Sequence, residues 1–307
     1  MTNNLNPLSR RNFLGMAAAV PALALATSMN RASAADAPDA AATGGAMKKR
    51  PMGLELYSVR GEFMKDWKTT LKNVADMGYE CVEFWAPYYD WSIPHAKETR
   101  TFIEDHGMRC YSTHNPLKSF MGDTMAKAIE LNQILGTRHL ILSSAGNLKT
   151  SQAWKDLGGK LTTAVEQLKP HGLTAGFHNH QTEWAKLDDG QRAMDVLAAS
   201  TPPEFVLQFD VGTCMEAGAD PIAWIKANPG RIKSLHLKEW APGARETEKG
   251  YRTLFGEGIS PWKEIIAAAE SVGGAEFYLM EQEGSRYPEF ETAKRCLDNW
   301  KAFRAKS

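Results

Sequence analysis

Phe205-Val-Leu-Gln-Phe-Asp210 is a short aliphatic and aromatic run that ends on a carboxylate. Such a run suits a strand buried on both faces, so a charged residue at its end needs a reason. Three more runs share the form: Leu173-Thr-Ala-Gly-Phe-His178, Ile232-Lys-Ser-Leu-His236 and Phe277-Tyr-Leu-Met-Glu281. The repetition predicts that His178, Asp210, His236 and Glu281 gather at one end of a parallel sheet, where together they could hold a divalent metal. Two imidazoles with two carboxylates form a mixed nitrogen and oxygen set, which suits manganese, cobalt, zinc or iron better than calcium. One ion is expected, manganese first, with magnesium also open.

Outward from these runs the chain alternates strand-like and helix-like stretches. Strands are expected at 52–59, 79–85, 108–114, 138–143, 173–178, 204–210, 232–237 and 276–281. Helical stretches such as 67–77, 125–135, 153–169, 222–227 and 262–271 carry apolar residues at three- and four-residue steps. Gly78, Gly107, Gly136, Gly172, Gly230 and Gly273 follow helical stretches, where a left-handed residue closes a helix end. Eight βα units predict an α/β fold, a single (β/α)8 barrel whose active face lies at the carboxyl ends of the strands. An open doubly wound sheet is the alternative, but the first strand lacks a following Gly-x-Gly-x-x-Gly.

Residues 1–34 are expected to be an address. Ser9-Arg10-Arg11-Asn12-Phe13-Leu14 matches a twin-arginine export pattern, and Ala32-Ser33-Ala34 supplies a small-residue cleavage site. The apolar stretch between them falls short of the roughly 17 to 25 residues of a membrane span. A periplasmic mature chain is therefore expected, with residues 35–49 as a flexible leader and 50–307 as one catalytic barrel. Removing Arg10, Arg11 and Arg31 changes 36 basic against 36 acidic residues to 33 against 36. That mildly acidic balance argues against nucleic acid as a partner. The four cysteines, Cys81, Cys110, Cys214 and Cys296, show no close pair or metal-ligand spacing and read as structural.

The order of motifs resembles the xylose-isomerase-like barrels, a family that includes sugar phosphate isomerases and epimerases and inosose dehydratase. It rests on Gly53-Leu-Glu-Leu-Tyr-Ser-Val-Arg60, Gly78-Tyr-Glu-Cys-Val-Glu83, Ser112-Thr-His114, Phe177-His-Asn-His180 and Asp210. It continues through Ala217-Gly-Ala-Asp-Pro221, His236-Leu-Lys238, Gly256-Glu-Gly258, Pro261-Trp262 and Met280-Glu281-Gln282. The resemblance implies a metal held at the ends of strands five to eight by Glu, Asp, His and Glu. This chain has His178 at the first of those positions, as in the subset that inosose dehydratase resembles. It thereby departs from the two-glutamate pair that the resemblance assigns to proton exchange in the ketose epimerases. His180 remains an alternative ligand, with His178 then a neighbouring or catalytic group.

The resemblance implies a small-molecule sugar or keto-sugar substrate, deprotonated next to a carbonyl. Isomerisation or epimerisation is the first expectation, and β-elimination by a lyase is the alternative. Glu281, His180 or Glu183 is expected as base, and Lys238 or His114 as acid. Lys238 could instead form a salt bridge to Glu239 or Glu281. His114, Glu83, Trp85, Trp184 and Trp240 are expected around the substrate, the tryptophans offering flat faces to a sugar ring or else capping the core. Glu55 and Glu83, inside apolar strands, are expected to face the barrel centre or mouth. A non-catalytic carbohydrate-binding barrel and a multi-metal endonuclease are the competing classes. Oligomeric state is open, a homo-oligomer included.

Overall fold

A computed structural model describes residues 50–243 and 250–306. The export signal and leader expected in 1–49 lie outside the described residues. Eight parallel strands close into a barrel in sequence order. They are β1 (Met52–Glu55), β2 (Cys81–Phe84), β3 (Arg109–Asn115), β4 (His139–Leu142), β5 (Thr174–His178), β6 (Val206–Asp210), β7 (Ser234–Leu237) and β8 (Phe277–Met280). The last strand returns to the first, with Gly53 opposite Leu279.

Outside the barrel lie α1 (Arg60–Lys65), α2 (Trp67–Met77), α3 (Ile93–Asp105), α4 (Thr124–Leu135), α5 (Ser151–Leu168) and α6 (Ala193–Ala199). They are followed by α7 (Val211–Glu216), α8 (Pro221–Ala227), α9 (Trp262–Ala268) and α10 (Glu289–Arg304). Their local causes are legible. The Thr150 side chain accepts from Ala153 N to start α5, whose Leu157, Leu161, Ala164, Val165 and Leu168 form the buried stripe. Asp220 accepts from Ile222 N and Ala223 N ahead of Pro221, the preferred opening of a helix. Among the described residues, no helix is long and apolar enough to cross a membrane.

Two expected boundaries differ by more than two residues. The first strand stops at Glu55 rather than 59, because the Glu55 carboxyl accepts from Tyr57 N and turns the chain into a 3-10 helix, Leu56–Val59. The ninth helix ends at Ala268, and a wider π-type turn, Ala269–Gly273, follows. The left-handed residue there is consequently Gly274 (φ 84°) and not Gly273. All four cysteines are free and buried.

Gly53 sits where neighbouring strands pass close together. A Cβ there would stand 2.5 Å from Cys81 Sγ and 2.7 Å from the Cys81 carbonyl oxygen. Gly53→Ala is expected to cost about 1–3 kcal/mol through overpacking. A denaturation midpoint equal to wild type would show that the strands spread without cost.

Candidate metal centre and active-site mouth

Because β5, β6, β7 and β8 run parallel and in register, their carboxyl ends deliver His178, Asp210, His236 and Glu281 to one place. Each offers one ligand atom, and these atoms lie within 4.8 Å of one another, all buried. Asn179, between the two histidines, locks the arrangement: its Nδ2 donates to Asp210 O (3.1 Å) and its Oδ1 accepts from Asp210 N (3.0 Å). Asp210 Oδ1 accepts from Thr213 N (2.9 Å) and so caps α7. Its Oδ2 is left with no hydrogen bond, and His178 Nδ1 has none either.

The electrostatics come from burial and close charges. His236 holds two carboxylates, Glu281 Oε2 at 2.6 Å from Nδ1 and Glu83 Oε2 at 2.8 Å from Nε2. Burial pushes its pKa down, but Glu83 and Glu281 outweigh that and raise it to about 10. Burial and the neighbouring His236 hold His178 well below the ordinary histidine value, leaving it neutral. Burial opposes ionisation of Glu83, yet His114 and His236 bring it down to about 2. Glu281 is likewise depressed, Lys238 and His236 overcoming its burial.

These residues fit a divalent ion. Buried polar atoms without hydrogen bonds suit one, and Asp210 Oδ2, which has only the ion pair to Lys238, and the neutral His178 are such acceptors in a mixed nitrogen and oxygen set. His178, 2% exposed, stands 3.7 Å from Asp210 Oδ2, whereas His180, with its side chain 38% exposed, lies on the mouth. The geometry therefore puts His178, not His180, in the cluster. His114 joins too, forming an overlapping group with His178 and His236.

Above the cluster opens a cavity of about 280 Å³ whose wall includes Glu55, Tyr57, Trp85, His114, His180 and Glu281. A larger cavity of about 620 Å³, lined by Arg50, Tyr111, Arg138 and Glu276, lies at the opposite end of the barrel. Among the described residues, the metal-capable groups converge at the smaller one.

Several expected substrate contacts lie elsewhere. Glu183 is buried and accepts from His180 N (2.7 Å), capping a 3-10 turn instead of facing the mouth. Trp184 packs edge-on against Phe209 and Trp224 outside the strands. Trp240 is half-buried and off the cavity wall, its carbonyl accepting from Ile259 N. Glu83 lies beneath the mouth, fully buried against Ser112, Gln208 and His236. Lys238, also buried, pairs with Asp210 Oδ2 (3.1 Å), Glu281 Oε1 (3.1 Å) and Glu283 Oε1 (2.7 Å). At 3.1 Å the Asp210 contact is an ion pair without hydrogen-bond alignment. Glu239 instead anchors the loop before α9, accepting from Gly256 N and Trp262 Nε1.

Sequence reasoning missed Gln208, which donates to Glu83 Oε1 (2.8 Å) and binds His114 Nε2 (2.7 Å). Strand alternation could have found it, because it lies two residues before Asp210 and shares its face.

A closed parallel barrel with metal-capable side chains at its carboxyl end defines a class, and residues 71–302 match the family described as Xylose isomerase-like TIM barrel. The chain belongs to that family. Its relative inosose dehydratase of Clostridium tetani (strain Massachusetts / E88) is 21% identical over 192 residues, 61% of this chain and 59% of that protein. A sugar phosphate isomerase/epimerase from Parabacteroides distasonis ATCC 8503 has the same fold, with TM-score 0.70 and 22% identity over 87% of this chain and 98% of that one. So does the IOLI protein with a binding zinc atom, with TM-score 0.62 and 14% identity over 81% and 97%.

Proposed function

We propose that this chain is a metal-dependent enzyme that removes a proton next to the carbonyl of a keto-sugar or keto-cyclitol, after which water is eliminated. The observation that carries the reading is the convergence of His178, Asp210, His236 and Glu281 within 4.8 Å, beneath a cavity of about 280 Å³. A divalent ion held there would supply Lewis-acid polarisation of the substrate carbonyl. His180 is the base, its imidazole standing on the cavity wall. Tyr57 and Trp85, edge to face at 6.1 Å, offer apolar surface to a ring. Elimination is preferred over epimerisation for two reasons: the imidazole of His178 replaces one member of a two-carboxylate pair, and a curated relative is an inosose dehydratase. Twin-arginine export to the periplasm is also proposed, on Arg10-Arg11 and the Ala34 cleavage site. Retention of an Arg10→Lys, Arg11→Lys double variant in the cytoplasm checks it.

The test uses metal-loaded protein with inosose in deuterium oxide, following deuterium at the α-carbon by NMR and enone absorbance in the ultraviolet. Enone formation supports elimination. Exchange without enone turns the reading to isomerisation or epimerisation, and neither signal leaves a binding barrel. His180→Gln is expected to lower the rate about a hundredfold without loss of metal.

His236 carries a proton held between two carboxylates, so ligating through either nitrogen requires that proton to leave. Its raised pKa of about 10 keeps it protonated across the neutral range. Metal uptake is expected to release about one proton, and affinity to fall about tenfold per unit of decreasing pH. Calorimetry in two buffers of different ionisation heat measures this. A heat independent of buffer would exclude His236 as a ligand.

A further inference from the structure

Two buried carboxyl groups, Glu55 on β1 and Glu83 on β2, are paired across adjacent strands, and their surroundings differ sharply. Glu83 is saturated, its oxygens taking Ser112 Oγ, Gln208 Nε2 (2.8 Å) and His236 Nε2 (2.8 Å), with His114 Nε2 at 3.2 Å. Glu55, 1% exposed, accepts one long backbone bond, from Tyr57 N to Oε1 at 3.4 Å, and its carboxyl lies against that of Glu83. Its Oε2 is buried without a hydrogen-bond partner, and the residue lines the cavity that also holds His180 and Glu281. A buried polar oxygen without a hydrogen bond, on a residue that lines a ligand cavity, is a group suited to meet a ligand atom.

We propose that Glu55 is a further catalytic residue, the acid that contacts the departing hydroxyl of the substrate through Oε2 and hands it a proton. This assignment rests on the elimination reading above. The step balances without any further reactant. The base takes the α-proton, the C–H electron pair forms the new C=C bond, and the C–O bond on the next carbon breaks. The departing oxygen receives the Glu55 proton and leaves as water, and solvent reprotonates Glu55.

Burial first, then the charges of Glu83 and Glu281, raise the Glu55 carboxyl well above its ordinary value, which favours its proton-bearing form. That is the division of labour expected of neighbouring carboxyls in unlike environments: one stays an anion with many partners, the other a neutral acid. The other cavity-wall candidates are less suited. His114 Nε2 is occupied by Gln208, and Glu283 is tied to Lys238 at 2.7 Å.

The deciding experiment compares wild type with Glu55→Gln and Glu55→Asp, metal-loaded, on inosose in deuterium oxide. Enone formation, deuterium in the recovered substrate and metal content are all measured. Gln keeps the shape but carries no acidic proton, so enone formation is expected to fall about a hundredfold while α-carbon exchange persists. The shorter acid in Glu55→Asp is expected to restore part of the elimination. Enone formation unchanged in Glu55→Gln would overturn the assignment. So would parallel loss of exchange and elimination in both variants, which marks a structural role. Loss of metal would overturn it too, because Glu55, Glu83 and His114 themselves form a metal-capable group. Wild-type protein that yields no enone sinks the elimination reading, and this role falls with it.

Discussion

Asp210→Asn is expected to give a folded barrel that no longer retains divalent metal and turns over at least about a thousandfold more slowly, corresponding to about 4 kcal/mol of lost transition-state stabilisation. The substitution is chosen because it spares the architecture. An asparagine oxygen still accepts from Thr213 N, which caps α7, and the backbone bond from residue 210 N to Asn179 Oδ1 is untouched. What disappears is the anionic Oδ2, which faces His178 Nε2 at 3.7 Å and forms an ion pair with Lys238 at 3.1 Å, so some loss of stability accompanies the loss of metal. Elemental analysis of the purified variant, with thermal unfolding alongside, reads the result. Metal retained at one ion per chain with turnover intact would remove Asp210 from the ligand set and with it the argument that the four strand ends act as one centre.

The barrel was legible because buried parallel strands leave a strong signal: short apolar runs at regular intervals, each broken by a helical period. The four strand-end residues were legible for a related reason. A polar residue closing such a run has few places to go except the mouth, and the closed sheet brings His178, Asp210, His236 and Glu281 together. Past the strand ends that logic fails. Glu183 and Trp184 follow β5 by a few residues, yet a 3-10 turn carries both back into the protein, one as a cap and the other against Trp224. Their directions are set by the turn, which periodicity does not encode. Glu55 shows the same limit from the other side. Its strand was expected to run on to residue 59, and the carboxyl itself ends it by binding Tyr57 N.

Lys238→Met is expected to destabilise the metal-free protein by about 3–5 kcal/mol, the range for breaking a buried ion pair by removing one partner. Lys238 is 1% exposed, and its ammonium lies within 3.1 Å of carboxylate oxygens from Asp210, Glu281 and Glu283. Burial disfavours that charge, but the three acids outweigh it and raise the lysine well above its ordinary value. Without the ammonium, Asp210 and Glu281 confront each other with one compensating charge fewer. A divalent ion bound by the same two carboxylates would replace it. The rise in unfolding temperature on adding metal is accordingly expected to be larger for Lys238→Met than for wild type, since a ligand stabilises most where it relieves most. A proton-donating role predicts the opposite split: stability near wild type and turnover lost even when metal is saturating. The position of Lys238 beneath the cavity, tied to three acids, favours the first outcome, in which the lysine holds the ligand carboxylates in place and the chemistry belongs to the residues on the wall above it.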